Sequence, residues 1–208
     1  KTFLKHESDI VSAGERHFDE GGNSLFRTGS TLKENIAETL YCSHIDQPST
    51  FWKKDIFDSL GGVNEQYNYL MDAELWVRYL LKYGDKRILK LNEIVVSFRL
   101  HDQSKTFREQ SKFKVERASL RYSLLKSIGD SKTLESLLEP LIDNLKTQIY
   151  SINQKFDKHK FFYLCAEDLF KEYTTAKYFD SKNEFVEHAF SILTENMTDE
   201  EVIKYFKK

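Results

Sequence analysis

Two acidic residues and an arginine–histidine pair are the side chains of this sequence most suited to chemistry. Asp72 and Glu74 lie two positions apart, in a stretch that reads Met-Asp-Ala-Glu-Leu-Trp-Val-Arg from residue 71 to 78. Arg99 and His101, also two positions apart, end a β-branched stretch. A carboxylate can remove a proton from an attacking hydroxyl, and a cation can stabilise a departing anion. These residue types suit a reaction in which a hydroxyl attacks and an anion leaves.

A helix over residues 72–83, ended by Gly84, must position the two acids. Asp72 would lie at the N-terminus of this helix, where the helix dipole favours the ionised carboxylate. Each residue also has a plainer interpretation. Asp72 alone is typical of an N-cap, Glu74 of an ordinary first-turn acid, and Trp76 of a core residue.

Two strands, about 86–91 and 94–100 and joined by Asn92-Glu93, must position the cationic pair. Side chains alternate across a strand, so Arg99 and His101 are predicted to share one face of a sheet. The alternative interpretation is a solvent-facing edge strand.

The remainder of the first hundred residues reads as short elements of both kinds. A strand is predicted from Asp9 to Phe18, followed by a turn over residues 19–23. A helix is predicted over residues 31–41, with Ser30 or Thr31 as its cap and Glu34 completing a capping box. A second short helix would open at Pro48-Ser49 and end at Gly61-Gly62.

Three stretches occur in a set order: His-Ile-Asp-Gln-Pro-Ser-Thr-Phe from residue 44, Asp-Ala-Glu-Leu-Trp-Val-Arg from residue 72, and Arg-Leu-His-Asp-Gln-Ser-Lys-Thr from residue 99. Leu-Gly-Gly-Val-Asn-Glu from residue 60 stands between the first two. As an ordered set they resemble the rear half of family-2 glycosyltransferases of the GT-A type. The resemblance covers residues 9–106.

The resemblance implies an inverting transfer of a sugar from a nucleotide-diphosphate sugar to a glycan or lipid-linked acceptor. Asp72 matches the position of the catalytic base. The positions matching substrate-binding residues are Gln47, Pro48, Ser49, Glu74, Trp76 and Arg99. His101 matches a ligand of a divalent metal, Mn or Mg.

The sequence departs from the family pattern beside the base and at the front of the domain. Met71 stands where many relatives carry Glu, and Ala73 where an aromatic residue is common. The sequence contains no Asp-x-Asp motif, and it begins with Lys1. We therefore expect a piece that lacks the nucleotide-binding front half and is inactive alone.

The glycine-rich, β-branched composition changes to helical spacing near residue 107. The sequence predicts an α/β fold over residues 1–106, a partial GT-A-like mixed sheet with helices, followed by an all-helical region over residues 107–208. Such a tail has several open roles: covering the acceptor site, forming a homo-oligomer, or docking on a membrane surface or a partner.

Composition excludes some classes of function. The chain has 31 basic and 33 acidic residues and a formal net charge of −2, without the basic stripe that nucleic-acid binding requires. No apolar run is long enough to be a transmembrane helix. Two distant cysteines, Cys42 and Cys165, are typical of free thiols in a reducing compartment, so we expect a cytoplasmic protein, associated at most peripherally with a membrane.

Two functions of other classes stay open. One is a non-catalytic interaction or oligomerisation module built on a transferase-like scaffold and a helical tail. The other, metal-dependent hydrolysis, is less favoured because no two histidines have a metal-ligand spacing on a predicted helix.

Overall fold

A computed structural model describes residues 7–129, 132–139, 142 and 147–175. The predictions for residues 176–208, among them a final helix from Thr198, lie outside the described residues. The strands are β1 Ile10–Phe18, β2 Ser24–Thr28, β3 Thr50–Trp52 and β4 Ile88–Arg99. The helices are α1 Ile36–Cys42, α2 Lys54–Ser59, α3 Met71–Tyr83, α4 Lys105–Arg108, α5 Gln110–Ile128, α6 Lys132–Leu138 and α7 Lys158–Thr175, and Gln47–Ser49 forms a 3-10 turn.

Strand β1 is the centre of a four-stranded mixed sheet. β3 pairs antiparallel with its first residues and β2 antiparallel with its last, whereas β4 pairs with it in parallel over its whole length. The first six residues of β1 are all buried, as expected of a strand covered on both faces. The mixed sheet with flanking helices confirms the predicted α/β class.

Gly14 allows the strands to come this close. A Cβ atom at this position would lie 2.6 Å from the carbonyl oxygen of Thr28 and 2.9 Å from Cδ1 of Ile94. Both distances are shorter than side-chain carbons tolerate, so any larger residue would force the pairing apart.

Helix α3 packs on this sheet with its aromatic side chains. Trp76 and Tyr79 both meet Trp52 edge-on, with ring centroids 6.0 Å and 5.7 Å apart. The Tyr79 hydroxyl donates a hydrogen bond of 3.3 Å to Oδ2 of Asp9, at the start of β1. These contacts fix the direction of α3 over the sheet, and Gly84, with φ of 75°, ends the helix as predicted.

Three predicted elements differ in the structure. The two strands expected on either side of Asn92-Glu93 form one strand, β4, which pairs with β1 up to Lys90 and again from Ile94, with a register shift between these positions. The helix predicted from residue 31 begins at Ile36, since the Asn35 side chain accepts a hydrogen bond of 2.8 Å from the Glu38 N–H.

The second predicted helix is wrong in its first half. The chain after Pro48 makes one 3-10 turn and then pairs with β1 as β3, and the helix α2 follows only at Lys54. Thr50 to Trp52 are β-branched and aromatic residues, which tertiary pairing with a buried strand readily holds as a strand.

Helices α5 and α7 lie beyond residue 107, where the sequence predicted helices, and the all-helical character of residues 107–208 stays a prediction. Helix α5 ends before Gly129, and α7 begins after Asp157. Leu120, Leu124 and Phe161 belong to the same cluster of buried side chains as Ile10 and Trp76. One hydrophobic core thus spans residue 107, while the division into two domains at that residue stays a prediction. Among the described helices, none has the length and apolar character needed to cross a membrane.

Candidate functional site

Asp72 lies in the first turn of α3. Its Oδ1 accepts a hydrogen bond of 2.8 Å from the N–H of Ala73, and no described side chain forms an ion pair with it. Its side chain is partly exposed. Burial raises the pKa of Asp72 above its usual 3.8, although the charges of His44 and Arg117 act to lower it. The helix dipole stabilises the carboxylate by only about 0.3–1 kcal/mol, and desolvation outweighs it here.

Glu74 has the opposite environment. Its carboxylate is fully buried and receives the Arg78 guanidinium, whose Nε lies 2.8 Å and 3.0 Å from the two oxygens. The Tyr150 hydroxyl donates to the same carboxylate at 3.4 Å. Arg78 and Tyr150 therefore contact both oxygens of Glu74, so this acid lies in a buried ion pair, and its predicted substrate-binding role stays a prediction.

Arg78 completes that network by holding the Leu-Gly-Gly turn. Its NH2 donates to the Gly62 carbonyl at 2.7 Å and its NH1 to the Leu60 carbonyl. Gly61 and Gly62 both have positive φ, 80° and 72°, a conformation that favours glycine. The Leu-Gly-Gly motif and the arginine of the acidic motif thus meet in one hydrogen-bonded unit.

Trp76 is fully buried and packs on Trp52 and Tyr79, which is the plainer interpretation of this residue. In the loop before β3, Ser49 is buried and its hydroxyl donates to the Asp46 carbonyl at 3.2 Å. Gln47 is exposed and Pro48 partly so. Of these positions, only Gln47 and Pro48 present a surface to solvent.

Arg99 and His101 lie at the carboxyl end of β4. Arg99 is the last residue of the strand, paired with Phe18, and it is exposed. His101 lies two residues beyond the strand and is partly buried. The strand ends at Arg99, so the prediction that His101 shares a strand face with Arg99 is wrong: His101 lies in the turn that follows.

Four titratable side chains form a polar cluster near the same end of the sheet: Glu15, His17, His44 and Asp46. Nε2 of His17 lies 2.9 Å from Oε1 of Glu15, and Nε2 of His44 lies 2.9 Å from Oδ1 of Asp46. Glu15, His17 and Asp46 are buried. Oε2 of Glu15, Nδ1 of His17 and Oδ2 of Asp46 have no hydrogen-bond partner among the described residues.

The two pairs of this cluster influence each other. Burial raises the pKa of Glu15 above its usual 4.5, and the negative charge of Asp46 raises it further. Burial also acts to raise the pKa of Asp46, but the hydrogen bond with His44 prevails and holds it below its usual range. His44 acts on Asp72 as well, so its imidazole links the polar cluster to the candidate base.

No protein-family model matches the chain. No curated protein and no solved structure is significantly similar to it. The resemblance to a family therefore stays a prediction from the ordered motifs of the sequence.

The structure gives His101 no group of metal-ligand side chains among the described residues. Within the described part of the chain, no three His, Cys, Asp or Glu side chains are grouped so that they could hold one ion. A divalent metal stays an expectation of the resemblance, and no step proposed below passes through it.

Sequence reasoning missed the polar cluster, although its spacing was readable. Glu15 and His17 are two residues apart on a predicted strand, so alternation alone puts both on one face. His44 and Asp46 were visible only as part of a motif, because their proximity to β1 depends on the path of the loop before β3.

Proposed function

We propose that this chain forms the acceptor side of an inverting glycosyltransferase, with Asp72 as the general base. The donor is a nucleotide-diphosphate sugar and the acceptor is a hydroxyl of a glycan or a lipid-linked saccharide. Residues outside this chain would bind the nucleotide, so the 208 residues alone are inactive.

The contrast between Asp72 and Glu74 carries the proposal. The two carboxylates lie in one helical turn, yet Glu74 is buried in an ion pair, whereas Asp72 is partly exposed and forms no ion pair with a described side chain. A general base must accept a proton from a substrate within hydrogen-bond distance. Of the two acids, Asp72 alone has an oxygen available for that, and its raised pKa strengthens it as a base.

The reaction balances with this one base. An acceptor hydroxyl oxygen attacks the anomeric carbon as its proton moves to Asp72. The bond between the anomeric carbon and the diphosphate oxygen breaks, and the electron pair leaves with the nucleoside diphosphate. Arg99 is exposed at the end of β4 and supplies positive charge of the kind that stabilises a departing diphosphate. In open sheets, ligands bind outside the carboxyl ends of parallel strands, and β1 and β4 are the parallel strands of this sheet.

The test is Asp72→Asn in the full-length protein, assayed for nucleoside diphosphate release from a panel of UDP-, GDP- and dTDP-sugars with glycan and lipid-linked acceptors. We expect kcat to fall by about 10²–10⁴-fold, with unchanged far-UV circular dichroism.

Asp55→Asn is the matched control, because Asp55 is also a first-turn acid, in the exposed start of α2, and it should keep full activity. Activity retained by Asp72→Asn would refute the assignment of the base. A full-length protein that accepts no donor would favour the interaction module instead.

A further inference from the structure

The segment that leads into α3 is held by a side chain from another helix. The carboxylate of Glu116, in α5, accepts three backbone hydrogen bonds: from the N–H of Asn68 at 2.9 Å and from those of Tyr69 and Leu70 at 2.8 Å each. Only 5% of Glu116 is exposed. Asp72 follows Leu70 by two residues.

The residues next to the start of α3 do not themselves provide a cap for this helix. Leu70 occupies the N-cap position of α3, and its apolar side chain makes no capping hydrogen bond. Three consecutive N–H groups would be left without partners as the chain enters the core, which is costly. A carboxylate with two oxygens and several lone pairs can satisfy all three, and Glu116 provides it from 46 residues away in sequence.

A second contact joins the same two segments. The Tyr69 ring meets the Phe113 ring of α5 edge-on, with centroids 5.2 Å apart. Arg117, next to Glu116 in the helix, acts electrostatically on Asp72. The first half of α5 therefore lies against the chain that carries the candidate base.

We propose that Glu116 is a positioning residue of the transferase: by fixing the backbone of residues 68–70, it sets the location of the Asp72 carboxylate relative to the acceptor hydroxyl. This rests on the proposed function. It also gives the region beyond residue 107 a role in the reaction, since the helix that holds the base belongs to one part of the chain and its clamp to the other.

The first measurement is kinetic, on the full-length enzyme with Glu116→Gln. A glutamine keeps the side-chain volume and one acceptor oxygen, but its NH2 group faces an N–H donor, so at least one clamp bond is lost. A displacement of about 1 Å can reduce a rate by about 10²-fold. We expect kcat to fall between 10- and 100-fold, with KM for the nucleotide-sugar donor within twofold of the wild type.

The matched control is Glu109→Gln. Glu109 immediately precedes α5, is more exposed and pairs only with Lys112 among the described residues, so kcat should not change. The second measurement is amide hydrogen exchange on the 208-residue chain. Exchange at Asn68, Tyr69 and Leu70 should become at least tenfold faster in Glu116→Gln and stay unchanged in Glu109→Gln.

The outcomes separate the two proposals. If Asp72→Asn is inactive but Glu116→Gln keeps kcat within twofold, the clamp is wrong and the function stands. If Asp72→Asn is active, Asp72 is not the base, and the proposal that Glu116 positions it for catalysis is also wrong. A Glu116→Gln protein that does not fold even at low temperature would also overturn the proposal, because Glu116 would then serve global stability and not position.

Discussion

Asp72 and Glu74 show how far environment, and not residue type, decides the role of a carboxylate. The sequence offered Asp72 as the candidate base and Glu74 as a candidate substrate-binding residue, two positions apart on one helix. The α-helical turn directs position 74 into the core, where Arg78 from the next turn neutralises it. Position 72 lies at the helix start, where burial is incomplete and no described cation forms an ion pair with it. The difference follows from a rotation of about 200° between the two positions.

The pKa of Asp72 gives a pH dependence with a definite sign. A base works when ionised, so kcat/KM should rise with pH through the pKa of Asp72, and burial moves that acidic limb above pH 3.8. Arg117 lowers this pKa; Arg117→Gln should therefore shift the limb to higher pH. Lys126→Gln, whose cation faces Tyr122 near the end of α5, should leave it in place. The measurement is kcat/KM of the full-length enzyme against pH. A limb that stays fixed in Arg117→Gln would contradict the electrostatic link to the base.

The site could be predicted in part from the sequence. The position of Asp72 in the first turn of α3 followed from local periodicity and a glycine stop, both of which the structure confirms. The partners of Glu74 were only half visible: Arg78 is four residues away on the same helix, but Tyr150 and the Leu60 and Gly62 carbonyls come from other segments. Glu116 was invisible, because its contacts with residues 68–70 arise only when two distant segments pack.

At the scale of elements, strands and helices with strong local signals could be predicted from the sequence, but the short strands between them could not. β1 and α3 match their predictions within one residue. β2 was not predicted, and its five residues from Ser24 to Thr28 are exposed or nearly so, so they carry no burial pattern. β3 was read as helix because the pairing that makes it a strand comes from β1.

The start of α1 offers a direct test of how a helix boundary is chosen. Asn35→Ala should lower the free energy of unfolding by about 1 kcal/mol, since it removes the acceptor for the Glu38 N–H. Thr31→Ala, at the predicted cap position, should change it by less than about 0.5 kcal/mol, because Oγ1 of Thr31 has no hydrogen-bond partner in the described structure. The measurement is the free energy of unfolding of both variants of this chain, determined by urea unfolding. Equal losses would mean that the boundary observed at Asn35 is not the one that stabilises the helix.

At the scale of the whole molecule, the described helices beyond residue 107 are joined to the α/β region by polar contacts as well as by the core. Arg121 of α5 pairs with Asp168 of α7, and its guanidinium lies 4.5 Å from the centre of the Tyr41 ring in α1. Arg117 donates to the Cys42 carbonyl at 2.6 Å. Arg121 is largely buried and has partners from two other helices. Separating it from them would be costly, since an ion pair broken in the interior leaves an uncompensated charge.

Because of these contacts, we expect the α/β region and the helices beyond residue 107 to unfold together. The chain carries a separate probe for each region. Both tryptophans, Trp52 and Trp76, lie before residue 107. Cys165 lies in α7, is 1% exposed, and burial raises the pKa of its thiol to about 12, so it should resist alkylation until α7 opens. In a Cys42→Ser background, which leaves Cys165 as the sole thiol, tryptophan fluorescence and iodoacetamide labelling should give the same urea midpoint. A thiol that becomes reactive at clearly lower urea than the fluorescence change would instead establish residues 107–208 as a separately unfolding domain, and would leave the Glu116 clamp to open without loss of the α/β fold.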